Sequence, residues 1–132
     1  MILIGIDPGV TTGVAVMDGA LLSVESMTLV SAMMWIVSMA TSCQVKVYVE
    51  DARQRKWFGT KGRESLQGAG SIKRDCQIWE EWLTLHDIKF EMVPPKANKT
   101  KLNAEQFRKL TGWTGRTNEH GRDAAMLVLW RS

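Results

Sequence analysis

The sequence predicts an α/β fold in which a mixed five-stranded sheet, a three-stranded antiparallel meander followed by parallel strands, is flanked by helices. Two apolar, β-branched runs joined by turn residues open the chain, and short strand patterns alternate with helical ones thereafter. With 132 residues, 45% of them hydrophobic, the chain is long enough for one core. We therefore expect a single domain over residues 1–132.

The first three strands are predicted from local patterns. Residues 2–7 and 13–18 are apolar and rich in β-branched side chains, and Pro8–Gly13 between them supplies turn residues. A hairpin is therefore expected. The Asp18-Gly19 pair marks a second turn, after which Leu21–Met27 is predicted as the third strand.

The next elements are a helix and a strand. The helix is predicted from about Val30 to Thr41, with Ser31 available as a cap. Its expected buried residues include Met34, Trp35 and Met39. Val45–Val49 alternates and is β-branched, which predicts a strand with Glu50 at its carboxyl end. The polar, basic residues 53–64 are predicted as a loop.

A long second helix is predicted from one apolar stripe. Its members are spaced by three or four residues: Leu66, Ala69, Ile72, Cys76, Trp79 and Leu83. Gly68 and Gly70 disfavour a helix by about 1 kcal/mol each. Either the helix begins after them, or another backbone packs closely there.

The last third of the chain predicts a strand and two helices. Ile88–Val93 is the last strand, and Pro94-Pro95 ends it. Asn103 and Gln106 form a capping box for a helix through Leu110, which Gly112 would end. The final helix is expected over about residues 118–130.

Charge is unevenly distributed along the chain. The net charge is +3, from 17 Lys and Arg against 14 Asp and Glu, yet the first 45 residues contain no Lys or Arg. Cations cluster in two later segments: Arg53, Arg55, Lys56, Lys61 and Arg63, then Lys96, Lys99 and Lys101. These are either solvated loop charges or a surface that binds the phosphates of a nucleic acid.

Composition excludes several classes of protein. The chain has too much apolar side chain for a disordered protein, and its apolar runs are too short for a membrane span. The N-terminus has the pattern of a strand and lacks that of a signal peptide. Cys43 and Cys76 match no metal-binding spacing and are expected to be reduced, buried thiols in a cytoplasmic protein.

Three acidic residues stand where the predicted elements meet. Asp7 ends an otherwise apolar strand, and Glu50 ends the strand after the first helix. If these strands are parallel neighbours, both carboxylates lie at the edge where open α/β sheets bind ligands. Asp123 lies early in the last helix, and His120 and Glu119, three and four residues before it, share its face by spacing.

Carboxylates that converge repel one another unless a cation lies between them. Mg²⁺ prefers a few carboxylates, and two such ions could hydrolyse a phosphodiester. His120 would then be a further ligand or a base. Taken singly, each residue also has an ordinary structural explanation, such as bonding to turn amides or favouring a helix N-terminus. Taken together, they favour a site.

Three segments carry a resemblance to a known family. The run from Ile4 to Ala15, with sequence IGIDPGVTTGVA, resembles the opening of RuvC-type Holliday junction resolvases, which are ribonuclease H-like nucleases. Val47–Asp51 resembles their second acidic motif, and His120–Ala125 their terminal one. The stretch from Pro94 through Lys101 to Gln106 is similar to their basic segment.

The resemblance implies a ribonuclease H-like fold and a homodimer that cuts four-way DNA junctions with Mg²⁺ or Mn²⁺, with two ions in each active site. Asp7, Glu50 and Asp123 would bind metal, and His120 would take the fourth catalytic position. Trp57 or Phe58 would reach the junction centre, unless they pack in the core. The dimer surface is left open between the long second helix and exposed Trp or Met residues.

Other functions remain as alternatives. A ribosomal RNA processing nuclease of the same superfamily has a similar N-terminal sequence. The second of its three acidic site residues, however, usually occurs later in the chain than Glu50 does here. A non-catalytic module that binds branched DNA is another. The phosphate loop of actin-like ATPases is also similar to Gly5–Gly13, but 132 residues cannot supply their second lobe, so no nucleotide cofactor is expected.

Overall fold

The computed structural model describes residues 1–54, 63–95 and 101–131, and for residues 63–69 only the backbone. Its strands are β1 (Ile2–Asp7), β2 (Thr11–Asp18), β3 (Ala20–Thr28), β4 (Val45–Glu50) and β5 (Lys89–Val93). Its α-helices are α1 (Leu29–Ser42), α2 (Arg63–Leu85), α3 (Ala104–Thr111) and α4 (Glu119–Val128), and a short 3₁₀ helix covers Ala52–Gln54. The predicted order of elements is confirmed.

All of these strands form one sheet, in the order β3-β2-β1-β4-β5. The strands β1, β2 and β3 pair antiparallel, as the turn residues between them predict. The strand β4 pairs in parallel with β1, and β5 pairs in parallel with β4, because a helix precedes each and carries the chain back across the sheet. The mixed α/β architecture predicted from the sequence is therefore correct.

The sheet separates two apolar layers. On one face, Ile4, Ile6, Val47 and Val49 pack with Ala32 and Ile36 of α1 and with Trp79 and Leu83 of α2. On the other face, Leu3, Ala15 and Tyr48 pack with Phe107 of α3 and with Ala124 and Val128 of α4. Alternation along each strand sends successive side chains to opposite layers. The layer that a side chain at a strand end faces therefore follows from its position in this alternation.

Several local predictions were wrong in detail. Helix α1 begins one residue early, so Thr28 is its N-cap and accepts a hydrogen bond from the backbone N–H of Ser31. Met34 is 68% exposed, because Ala32 and Ile36 occupy the inward face and Met34 lies on the opposite side of the helix. Cys43 is exposed, whereas Cys76 is buried as expected, and both are free thiols.

Helix α2 passes through Gly68 and Gly70, so it does not begin after them. A methyl group at Gly70 would meet no atom within 4 Å, so close backbone packing is not the reason for this glycine. Cys76, Trp79 and Leu83 are buried further along the apolar stripe of α2, and their burial offsets the cost of glycine in the helix. The capping box of Asn103 and Gln106, and Gly112 at the end of α3, are as predicted.

Candidate active site

Asp7 and Glu50 end neighbouring parallel strands. Ile6 lies opposite Val49 in the pairing of β1 with β4, so the two acids that follow are next in register. Adjacent strands are about 4.8 Å apart. Side chains alternate between the faces of a sheet, so Asp7 shares the face of Leu3 and Glu50 shares the face of Tyr48. This is the face that α4 covers. The predicted meeting of two strand ends at one edge is thus present.

Two glycines bring α4 unusually close to this face. A methyl group added to Gly13 would lie 1.9 Å from the carbonyl oxygen of His120, and one added to Gly5 would lie 2.1 Å from that of Ala124. The helix backbone therefore rests directly on the strands. Gly13 pairs with Asp7 across the hairpin, so this contact sets His120 beside the first acid.

His120 contacts Asp7 as a result. Its Nδ1 lies 3.5 Å from Oδ2 of Asp7. The Asp7 side chain is 16% exposed and that of His120 is 48% exposed, so the pair forms part of the rim of the site. A carboxylate at this distance can orient the imidazole ring.

Asp123 lies one turn further along α4 and pairs with a lysine. It is 7% exposed, and its Oδ2 lies 3.5 Å from Nζ of Lys101. The same ammonium group donates a short hydrogen bond to Glu119. This hydrogen bond raises the pKa of Lys101 and lowers that of Glu119. Lys101 therefore stays charged and holds the loop before α3 against the site.

The acids are not arranged as a ready-made metal site. Within residues 1–54, 63–95 and 101–131, no three His, Cys, Asp or Glu side chains are grouped so that they could hold a metal ion. Asp7 and Asp123 instead face an imidazole and an ammonium group. Their donor chemistry suits a hard divalent cation, because carboxylate oxygens dominate the set. A shared ion would require these side chains to turn towards one another.

Asp51 fixes the turn that follows Glu50. It is 3% exposed, and its Oδ1 and Oδ2 accept hydrogen bonds from Nε and Nη2 of Arg53 at 2.7 and 3.0 Å. Gln54 donates a further bond to Oδ2, and Nη1 of Arg53 reaches Glu80 of α2 at 3.1 Å. The network ties the carboxyl end of β4 to α2, and it gives Arg53 a structural role in addition to the predicted contact with DNA.

We expect Asp51→Asn to lower the free energy of unfolding by about 2 kcal/mol at neutral pH, because charged hydrogen bonds are lost. Burial alone would raise the pKa of Asp51, but the bonds from Arg53 and Gln54 outweigh it and lower this pKa. A carboxyl with a lowered pKa stabilises the fold above its unfolded pKa and stops doing so as pH falls through its folded pKa.

Urea unfolding of wild type and Asp51→Asn, repeated from neutral to acidic pH, measures this difference in the free energy of unfolding. The difference between wild type and variant should shrink as the pH falls below about 4. A difference that stays constant from pH 7 down to pH 2 would contradict the assigned role of the Asp51 carboxylate.

The remaining predicted DNA-binding residues are only partly described. Lys101 contacts Asp123 at the site, and Arg53 lies in the turn after Glu50, where it pairs with Asp51 and Glu80. The side chain of Arg63 lies outside the described residues, and so do seven whole residues: Arg55, Lys56, Trp57, Phe58, Lys61, Lys96 and Lys99. Their contacts with DNA stay predictions.

Two features of the site were missed by sequence reasoning. Gly5 and Gly13 interrupt strands of bulky apolar residues, and that interruption was the available signal for close approach of another backbone. Arg122 was also missed. Its guanidinium donates to the backbone oxygens of Leu102 and Thr117, which fastens α4 to the segment around α3.

The element order, the sheet topology and the acids at the sheet edge define a ribonuclease H-like α/β fold. The chain is similar to a solved structure with this fold, T. thermophilus RuvC in complex with a Holliday junction substrate. The two share 18% sequence identity with a TM-score of 0.57, and the match covers 96% of this chain and 89% of that one. No protein-family profile matches the sequence, and no curated protein matches it significantly. The predicted fold is confirmed, and the likeness is one of fold.

Proposed function

We propose that this protein is a metal-dependent endonuclease that resolves four-way or related branched DNA junctions, and that it works as a homodimer. The observation that carries the proposal is the meeting of Asp7, His120 and the end of β4 at one sheet edge, with Asp123 on the helix that covers it. The fold shared with a junction-bound RuvC supports it.

The proposed chemistry is hydrolysis of a phosphodiester. Asp7, Glu50 and Asp123 would hold Mg²⁺ or Mn²⁺, as two ions in each site. Bound there, the cations would activate a water molecule and stabilise the leaving oxygen. His120, oriented by Asp7, would accept a proton from the attacking water. Lys101 would leave Asp123 and stabilise the phosphate charge.

The cationic segments would supply DNA binding. One begins at Arg53, three residues after Glu50, and the other ends at Lys101, whose ammonium group contacts Asp123. Each segment is therefore close in the sequence to a residue that this proposal uses. Lys and Arg beside a nuclease site neutralise phosphates and release counterions, which makes binding fall steeply with salt.

A cleavage assay with defined substrates tests this function. We expect Mg²⁺-dependent nicking of a synthetic four-way junction, with much less cutting of the linear duplex made from the same strands. EDTA should stop the reaction, and added Mn²⁺ should restore it.

The assay also separates the alternatives. Preferential cleavage of a structured RNA would favour the ribosomal RNA processing nuclease. Tight binding of the junction without cleavage at any concentration of Mg²⁺ or Mn²⁺ would favour the non-catalytic module. Either result would contradict the proposed cleavage of DNA junctions.

A further inference from the structure

Glu119 is an acidic residue beside the site to which the proposed catalysis gives no role. It lies in the first turn of α4, four residues before Asp123, so the two carboxylates share one side of the helix. Its Oε1 accepts a short hydrogen bond from Nζ of Lys101. We propose that Glu119 is a positioning residue, a role that rests on the proposed nuclease function: it holds the Lys101 ammonium group at the site when Asp123 binds a cation.

The Lys101 ammonium group has two acidic partners at unequal distances. Its Nζ lies 2.5 Å from Oε1 of Glu119 but 3.5 Å from Oδ2 of Asp123. A divalent cation bound to Asp123 would repel the ammonium group, because both carry positive charge. The closer pair with Glu119 does not involve the Asp123 carboxylate, so it can persist. Lys101 would then leave Asp123 without leaving the site.

The two carboxylates differ in exposure in a way that suits different tasks. The side chain of Asp123 is 11% exposed, whereas those of Glu119 and Lys101 are 53% and 61% exposed. Glu119 therefore keeps the ammonium group on the outer side of Asp123, where a phosphate of a DNA strand can approach. A lysine that is already held there loses less conformational freedom when the phosphate binds.

The backbone beside Lys101 is anchored separately. Nε of Arg122 donates to the carbonyl oxygen of Leu102 at 2.9 Å, and its Nη1 donates to that of Thr117 at 3.0 Å. The chain next to Lys101 is therefore tied to α4 without the help of Glu119. Removing the Glu119 carboxylate should free the lysine side chain and leave its backbone in place, so such a variant separates positioning from folding.

The first test measures how firmly the ammonium group is held, without DNA. Acetic anhydride labels lysine amines, and mass spectrometry of the peptides gives the labelling rate of Lys101 relative to Lys46 in buffer with Mg²⁺. Glu105→Ala is the matched control, because Glu105 also lies in the first turn of a helix and pairs with Lys109 at 3.5 Å. We expect Lys101 to be labelled about 3-fold faster in Glu119→Ala and at the wild-type rate in Glu105→Ala. Equal labelling in Glu119→Ala and wild type would overturn the proposal.

The second test is single-turnover cleavage of a four-way junction. Glu119→Ala should cut about 5-fold more slowly, with junction binding in Ca²⁺ and the Mg²⁺ concentration for half-maximal rate within about 2-fold of wild type. Adding Glu119→Ala to Lys101→Ala should cause no further loss, because the two residues act as one unit. An unchanged rate, additive losses, or a higher Mg²⁺ requirement, which would make Glu119 a metal ligand, would overturn the positioning role.

Circular dichroism verifies that each variant is folded, and Glu119→Gln, which removes only the charge, serves as a second variant if Glu119→Ala is not. The two tests also separate this role from the nuclease activity. A wild type that never cuts a junction, together with faster labelling of Lys101 in Glu119→Ala, would reject the nuclease and uphold the hold of Glu119 on the lysine. A wild type that cuts, together with a Glu119→Ala that matches it in cleavage and in labelling, would do the reverse.

Discussion

Replacing Asp7 by Asn is expected to reduce junction cleavage by at least about 100-fold while leaving junction binding within about 2-fold of wild type. The carboxylate is the proposed metal ligand and it also orients His120, whose Nδ1 lies 3.5 Å away. Removing one group that stabilises a transition state by electrostatics typically costs this much in rate. Single-turnover cleavage and a binding assay in Ca²⁺ measure the two effects separately.

Asp18→Asn is the matched control. Asp18 belongs to the same hairpin but lies exposed at the opposite end of β2, next to the turn at Gly19. It should cleave at the wild-type rate. If Asp7→Asn cuts as fast as Asp18→Asn, residue 7 is not part of the catalytic site. Equal losses in both variants would show that the effect does not depend on the site.

The second large effect is expected at Gly13. Gly13→Ala should lower the free energy of unfolding by at least about 3 kcal/mol, because the new methyl group would lie 1.9 Å from a backbone oxygen of α4. A backbone atom cannot move aside by changing rotamer. The helix has to lift from the sheet, and the contact between His120 and Asp7 would be lost with it.

Gly70→Ala provides the comparison for Gly13→Ala. The same methyl group at Gly70 meets nothing within 4 Å and lies in a helix, where alanine is favoured over glycine by about 1 kcal/mol. This variant should therefore be slightly more stable than wild type and keep its activity. Chemical unfolding of both variants is the measurement. A stable Gly13→Ala that still cleaves junctions would contradict the close seating of α4.

The order of the elements could be predicted because local patterns carry it. The hairpin follows from turn residues between β-branched runs, and α2 follows from a stripe in which Cys76, Trp79 and Leu83 are fully buried. The positions of Asp7 and Glu50 at strand ends were also visible in the sequence. Their shared edge followed once a helix was placed between the strands, since such a crossover makes them parallel.

The ion pairs at the site could not be predicted in the same way. Lys101 reaches Asp123 from a segment 22 positions earlier in the chain, and Arg53 bridges Asp51 to Glu80 on another helix. Such pairs depend on tertiary packing and have no periodic signal in the sequence. The exposure of Met34 could not be predicted either. An apolar side chain favours burial, but the orientation of α1 decides which side of the helix meets the sheet.

The proposed catalysis requires Asp7, Glu50 and Asp123 to share divalent cations beside Lys101 and His120. Anomalous diffraction from crystals grown with Mn²⁺ and a four-way junction tests it most directly. We expect a manganese peak in contact with oxygens of all three carboxylates, and Nζ of Lys101 moved away from Asp123 towards the DNA. A junction complex with no manganese at this edge of the sheet, or with manganese held elsewhere on the chain, would contradict this metal site.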